Sequence, residues 1–114
     1  MNVIEKILAV HSREAMVYPG KIIDVDLDYV MANDATACLA IDIFKEELRA
    51  KRIFDPDKVV LVMDHYTPSS SIAAADSHNK MRKFAREQGL RYVYDGAGVC
   101  HQLMIEHHVR PPDS

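Results

Sequence analysis

The chain has 114 residues, of which 48% are hydrophobic and 27% charged, with a formal net charge of −3. These values are typical of one small globular domain, and the mild negative charge argues against binding to nucleic acid or to an anionic membrane. The longest apolar runs, about five residues, are far too short to predict a membrane span. The two cysteines, Cys38 and Cys100, do not make a disulfide framework and indicate a reducing, cytoplasmic location.

The first third of the chain predicts one helix and one strand. Asn2 and Glu5 form a capping-box pattern at the start of a helix over residues 2–10. Apolar residues then alternate with three aspartates over residues 21–30, which predicts a strand with one apolar and one solvated, acidic face. Aspartates two residues apart on a strand are separated by about 7 Å, so a shared cation site is disfavoured.

The next helix is predicted over residues 35–51, with Asp34 as its N-cap. Cys38, in its first turn, is interpreted as a small buried hydrophobe. The predicted apolar stripe of this helix consists of Leu39, Ala40, Ile43, Phe44 and Leu48.

The central strand is predicted over residues 59–63, where every residue is apolar. A continuous apolar run is typical of a strand buried on both faces of a parallel sheet, and such sheets bind ligands beyond the carboxyl ends of their strands. Asp64 and His65 follow directly, and a carboxylate beside an imidazole can orient the ring and favour its protonated form. From the residues alone a second interpretation stays open, in which Asp64 caps the following turn and His65 is exposed in a loop.

A third helix is predicted over residues 71–88, where Gly89 ends it. Asp76, Ser77 and His78 in this helix have the composition of a hydrolase triad. Neighbouring residues on a helix point in different directions, so these three side chains are predicted to form a solvated face.

A short strand over residues 91–94 and a helix over residues 100–107 complete the predicted elements. The glycine-rich loop between them can bind an anion through backbone amides at the helix N-terminus, with Cys100 and His101 at its mouth. His107 and His108 suit the negative end of the helix dipole, and as zinc ligands they would need partners that the sequence does not supply.

The alternation of helices and strands predicts an α/β class, three-layer α/β/α fold with a short parallel sheet. Residues 1–114 would form a single unit that is part of a larger α/β domain. Three strands leave both sheet edges open and much apolar surface bare, so self-association into a homo-oligomer is expected.

Seven short segments follow one another in a distinctive order: residues 5–8, 19–25, 33–36, 55–60, 64–65, 82–89 and 96–102. In this order and spacing they resemble the N-terminal part of the aconitase family, most nearly its isopropylmalate isomerase and homoaconitase-like branch. The resemblance covers nearly the whole chain and implies a partial aconitase-type domain.

The resemblance also implies a chemistry, a hydro-lyase that dehydrates and rehydrates a hydroxy acid at a [4Fe-4S] cluster. A substrate such as 3-isopropylmalate, in leucine biosynthesis, is implied, while homocitrate-type acids, citrate and dimethylmalate remain open. By resemblance, Asp64 and His65 help the hydroxyl leave as water, His101 lines the site, and Asn33 contacts the substrate. Asp34 would then be chiefly a helix cap.

Several family features have no counterpart in this sequence. Cys38 and Cys100 do not match the three cluster cysteines, the later DSHT motif is missing, and the catalytic serine belongs to a small swivelling subunit or domain. The chain is therefore expected to be a truncated fragment that binds no cluster and is inactive alone. Two alternatives stay open: a stand-alone, non-catalytic α/β module that binds a small anion or a partner protein, and a small metal enzyme using Asp64, His65 and His101.

Overall fold

A computed structural model describes residues 2–109 of the chain. Three parallel strands form one sheet in the order β1–β2–β3, and helices cover both of its faces. The strands are β1 (Val30–Asn33), β2 (Val59–Met63) and β3 (Tyr92–Asp95). The helices are α1 (Val3–Ser12), α2 (Ala37–Asp42), α3 (Ile72–Gln88) and α4 (Cys100–His107), and a π-helical segment, Ile43–Glu47, continues α2.

The central strand β2 is buried along its whole length, as its apolar run predicts. Because side chains alternate across a strand, Leu61 and Met63 pack on one face of the sheet against α2 and α3. Val60 and Val62 pack on the other face against α4. The predicted three-layer α/β/α arrangement is confirmed.

Local capping signals set the ends of α1 and α3. Glu5 donates its backbone N–H to Asn2 Oδ1 at 2.8 Å and its carboxylate accepts from the Asn2 N–H, so the predicted capping box is present. Ser71 accepts from the Ala74 N–H at the start of α3, and Gly89 ends this helix in the left-handed conformation at φ 68°. None of the helices within residues 2–109 has the length and apolarity needed to cross a membrane.

The strand predicted over residues 21–30 is wrong. Residues 21–28 are irregular, and β1 begins only at Val30, where the prediction ended. The irregular segment instead contacts α1, since the Asp26 N–H donates to the His11 carbonyl at 2.9 Å. An apolar–acidic alternation describes an exposed extended chain, but a parallel strand beside β2 requires cover on both faces, which residues 30–33 receive.

The helix predicted over residues 35–51 is shorter, and its buried face differs. Ala37 and Ile41 are buried, whereas Leu39 and Leu48 from the predicted stripe are exposed. The segment contains two apolar stripes at helical spacing, and only contact with the sheet decides between them. Cys38 is half-buried against the core, where its thiol donates to the Ser77 carbonyl at 3.6 Å.

Candidate functional site

The polar residues singled out from the sequence lie where the three strands end. Asn33 is the last residue of β1, Asp64 and His65 follow β2, and His101 lies in the first turn of α4, after β3. Because the strands are parallel, their carboxyl ends share one edge of the sheet. The structure thus places all four residues at the same edge, while their catalytic and substrate-binding roles stay predictions.

Asp64 and His65 form a hydrogen-bonded pair. β2 ends at Met63 and the chain turns there, so the adjacent side chains converge and His65 Nδ1 lies 2.6 Å from Asp64 Oδ1. The other Asp64 oxygen accepts the backbone N–H of Cys100 at 2.8 Å, at the N-terminus of α4. The Asp64 side chain is buried, whereas the His65 ring is 48% exposed and open to a ligand.

The electrostatics of this pair favour an ion pair. The hydrogen bond that His65 donates to Asp64 is the main cause that raises the pKa of His65. Desolvation opposes this rise, and the charges of Asp64 and Asp34 add to it. Burial acts to raise the pKa of Asp64, but hydrogen bonds from His65 and Cys100 outweigh burial and the pKa lies below its ordinary value. Both shifts favour the charged form of the group, an imidazolium beside a carboxylate.

Asp34 contributes to the site rather than to a helix cap, which corrects the prediction. Its buried carboxylate accepts the backbone N–H groups of His65 at 3.0 Å and Tyr66 at 2.9 Å. The N-cap position of α2 is Thr36, which makes no capping hydrogen bond through its side chain, and Asn33 Oδ1 accepts the Ala35 N–H instead. Burial acts to raise the pKa of Asp34, but the hydrogen bonds from Tyr66, His78 and His65 outweigh it and lower the pKa.

His78 is not on a solvated face, so this prediction is also wrong. The residue is only 2% exposed, its Nε2 lies 3.0 Å from Asp34 Oδ2, and its Nδ1 lies 2.9 Å from Ser69 Oγ. Asp76, by contrast, is exposed as predicted. His78 lies on the buried stripe of α3 with Ala74, Met81 and Ala85, and this helical spacing is the signal that sequence analysis missed.

Asn33 and His101 meet at the thiol of Cys100. The Asn33 amide nitrogen lies 3.9 Å from Cys100 Sγ, and His101 Nδ1 lies 3.4 Å from the same sulfur. Cys100 is buried, and burial is the main cause that raises the pKa of its thiol, so the neutral form is favoured. The His101 residue is exposed, which leaves its ring accessible at the rim of the site.

The glycine-rich loop brings the N-terminus of α4 to Asp64. Gly96 and Gly98 adopt positive φ values of +67° and +150°, and a Cβ at Gly96 would meet Thr67 Cγ2 at 3.2 Å. This path aims the Cys100 N–H at the Asp64 carboxylate. The anion held at this helix start is therefore a side chain of the same chain, which weakens the alternative of a stand-alone anion-binding module.

The carboxylates of the site are not open metal ligands. Ligand atoms of Asp34, Asp64 and His65 lie within 4.8 Å of one another. However, all four oxygens of the two aspartates already accept hydrogen bonds from N–H groups. His101 is outside this group, so the described residues do not support the small metal enzyme considered above.

The cysteines do not fit an iron–sulfur cluster. Cys38 packs with the core on the α2–α3 face of the sheet, and Cys100 is buried on the α4 face. Thiols on opposite faces cannot coordinate one cluster, and a cluster of the family type takes three cysteines. Residues 2–109 therefore supply no ligand set for the [4Fe-4S] group that the resemblance implies.

Of the two histidines near the end of α4, His107 lies exposed in the last turn as predicted, whereas His108 differs from the prediction. His108 is buried among Tyr29, Tyr92 and Tyr94, and its Nε2 lies 2.7 Å from the Tyr94 hydroxyl. Burial first, and then the charge of His107, lowers the pKa of His108, so it is a neutral residue rather than a cation on the helix dipole. This cluster lies at the far end of α4 from Cys100.

Comparison with known proteins connects this arrangement to a family of enzymes. The chain is 43% identical over 108 residues to 3-isopropylmalate dehydratase large subunit 1 of Pyrococcus abyssi and 44% identical over 108 residues to the large subunit of Moorella thermoacetica. It is 43% identical over 113 residues to the probable large subunit of Methanothermobacter thermautotrophicus. These matches cover 93–97% of the chain but only 25–27% of the relatives, so the chain spans about a quarter of their length. No protein-family model matches the chain.

Proposed function

This chain belongs to the aconitase family, and from that premise we propose that it supplies acid–base residues to a hydro-lyase acting on 3-isopropylmalate. The observation that carries the proposal is the Asp64–His65 pair, hydrogen-bonded at 2.6 Å and open at the carboxyl edge of the sheet. The names of the relatives support the choice of substrate class. The geometry supports the choice of residues.

His65 is suited to give a proton to a leaving hydroxyl. Its Nδ1 is held by Asp64, so Nε2 is the nitrogen that faces outward, and the hydrogen bond to Asp64 raises the pKa of the ring and thereby favours its protonated form. When the C–O bond of a hydroxy acid breaks, this proton converts the departing hydroxide into water. In the reverse direction the neutral imidazole accepts a proton from the water that adds.

His101 and Asn33 are proposed to line the same site. The His101 imidazole, in the first turn of α4, and the Asn33 amide, at the end of β1, both lie close to Cys100 Sγ. An amide and an imidazole can both donate to substrate carboxylates. His101 is thus proposed as a second catalytic group and Asn33 as a substrate-binding group.

Other parts of the proposed enzyme would come from outside this sequence. We propose that the [4Fe-4S] cluster, which supplies Lewis-acid chemistry when bound, is ligated by cysteines that are not among these 114 residues. The name "large subunit" of the relatives supports a small partner subunit, which we propose carries the base that removes the substrate proton. The chain alone is accordingly expected to show no turnover.

A chimeric enzyme tests the proposal. Residues 2–109 would replace the matching quarter of the Moorella thermoacetica large subunit, which would be expressed with its small subunit and assayed for dehydration of 3-isopropylmalate by ultraviolet absorbance. The proposal predicts an active chimera in which His65→Ala lowers kcat by roughly 10²–10⁴, the usual share of a general acid. The assay would be repeated with citrate and homocitrate to check the substrate.

The matched control is His107→Ala, at an exposed histidine near the opposite end of α4. Its kcat is expected to stay within about twofold, the scale of an ordinary surface substitution. Unchanged kcat after His65→Ala in an active chimera would contradict the assignment of His65, and an inactive chimera with a bound cluster would contradict the proposed function itself.

A further inference from the structure

We propose that Asp34 and His78 are positioning residues, which together hold the loop of residues 64–71 so that the His65 ring faces the open edge of the sheet. The proposed function assigns neither residue a part in the reaction. Only the catalytic consequence of this inference depends on the proposed function, because the positioning itself is a property of the folded chain.

Asp34 fixes the backbone of the loop directly beside the catalytic pair. Its Oδ1 accepts the His65 N–H at 3.0 Å and its Oδ2 accepts the Tyr66 N–H at 2.9 Å. Two consecutive amides bound to one carboxylate restrict the peptide plane and therefore the direction of the His65 Cα–Cβ bond. The Asp34 side chain has no exposed surface, so it acts on a substrate through the loop and not by contact.

His78 holds Asp34 and anchors the loop a second time. His78 lies in α3, and its Nε2 donates to Asp34 Oδ2 at a distance of 3.0 Å, just beyond the end of β1. Its Nδ1 lies 2.9 Å from Ser69 Oγ, four residues beyond His65 in the same loop. The buried imidazole thus connects the ends of two strands, one helix and the loop that carries His65.

The hydrogen-bond chemistry requires both nitrogens of His78. A carboxylate only accepts, so Nε2 carries the proton that is donated to Asp34, while Nδ1 lies at hydrogen-bond distance from the Ser69 hydroxyl, which can act as donor or acceptor. Leaving either partner unpaired in a buried site is costly. A glutamine at this position offers one donor and one acceptor at similar reach, whereas an alanine offers neither.

Nuclear magnetic resonance on the isotopically labelled 114-residue chain tests the inference without any need for activity. The variants are His78→Ala, His78→Gln and the control His108→Phe, which alters a buried histidine at the opposite end of α4. The readouts are amide hydrogen exchange at His65 and Tyr66 and the chemical shifts of the His65 ring. A melting curve for each variant separates local effects from global destabilisation.

Positioning predicts a specific pattern across the variants. His78→Ala should speed exchange of the His65 and Tyr66 amides by about tenfold relative to the core of β2, and should shift the ring resonances of His65. His78→Gln should restore both readouts, and His108→Phe should leave both unchanged even where it lowers the melting temperature. Unchanged exchange and ring shifts in a folded His78→Ala chain would overturn the proposal.

Ser69→Ala provides a second variant if His78→Ala does not fold. It removes the outer anchor from an exposed loop residue, and it should move the same readouts in the same direction by a smaller factor. An unaltered loop in this variant, with no folded His78→Ala chain, would also overturn the proposal. In the chimera, His78→Ala should lower kcat with little change in KM, whereas an inactive parent chimera would refute only the proposed function.

Discussion

The two ends of α4 place histidines in opposite environments. Near its first residue, at the carboxyl edge of the sheet, His65 lies exposed between the carboxylates of Asp64 and Asp34, and its pKa is raised. At its last turn, His108 is buried among tyrosines with one hydroxyl partner, and its pKa is lowered.

The difference shows what makes one end of this fold a chemical site. Both histidines have a hydrogen-bond partner, but only at the carboxyl edge is that partner an anion, the Asp64 carboxylate, which the backbone N–H of the buried Cys100 holds in place. An aromatic pocket stabilises the neutral ring through packing, whereas a fixed carboxylate stabilises the protonated ring and leaves one nitrogen free. The aromatic pocket around His108 thus belongs to the core, whereas the carboxylate beside His65 makes that ring suited to act as an acid.

The largest effect is expected from Asp34→Ala. This change removes the acceptor of three hydrogen bonds and leaves two backbone N–H groups and the His78 ring without their partner. At about 1–3 kcal/mol for a buried unsatisfied donor, the free energy of unfolding should fall by roughly 3–5 kcal/mol. Urea denaturation of the 114-residue chain measures this free energy. A decrease of less than about 1 kcal/mol would show that the Asp34 carboxylate does not organise the carboxyl edge of the sheet.

A matched pair of phenylalanine substitutions compares the two buried histidines directly. His78→Phe leaves the Asp34 carboxylate short of a donor, so we expect a loss of about 3 kcal/mol. His108→Phe loses one hydrogen bond from a neutral ring and keeps aromatic packing, so the loss should be about 1 kcal/mol. Equal losses by chemical denaturation would mean that the two environments differ less than the structure indicates.

A smaller effect is expected at the loop that delivers α4 to Asp64. Gly98 has φ +150°, a conformation that other residues adopt at a cost of about 1–3 kcal/mol, so Gly98→Ala should destabilise the chain by that order. Gly20, with φ +92° on the distant α1 side, is the control for glycine strain alone. Only the change at Gly98 should weaken protection of the Cys100 amide from hydrogen exchange.

The smallest effects should appear in how stability depends on pH, and they should have opposite signs. Because the pKa of His108 is lowered in the folded chain, the unfolded chain binds more protons at this residue than the folded chain does. The contribution of His108 to the free energy of unfolding is therefore present above pH 6.5 and is lost as the pH falls below it. The raised pKa of His65 means that its contribution is complete below pH 6.5 and is lost as pH rises through the folded-state value. Thermal melts across this pH range measure both contributions. His108→Phe should remove the loss of stability at low pH, and His65→Ala should remove the loss of stability at high pH.

The sequence predicts the layers of the fold better than the contacts of the site. The apolar run at residues 59–63 is sufficient to identify a strand buried on both faces, because few other local structures fit it. The alternation over residues 21–30 misleads, because it reports an extended backbone and carries no information on a neighbouring strand. Pairing with β2 is decided by residues far away in the chain.

The site residues show the same limit. Asp64 and His65 could be identified because they follow a recognisable strand, and their contact is between adjacent residues. The hydrogen bond between Asp34 and His78 joins positions 44 apart, and a local pattern describes Asp34 equally well as a cap. The helical spacing of His78 with Ala74 and Met81 could have corrected its predicted place on a solvated face, but no local feature shows which carboxylate it meets.

Titration of the histidine rings tests most directly whether the carboxyl edge of the sheet holds the His65 ring in place and favours its protonated form. Proton–nitrogen correlation spectra of the 114-residue chain, recorded across the pH range around 6.5, give the midpoint and tautomer of each ring. We expect a His65 midpoint above 6.5, a His108 midpoint below it, and a fall of the His65 midpoint in Asp64→Asn. A His65 midpoint at or below that of His108 would contradict this expectation.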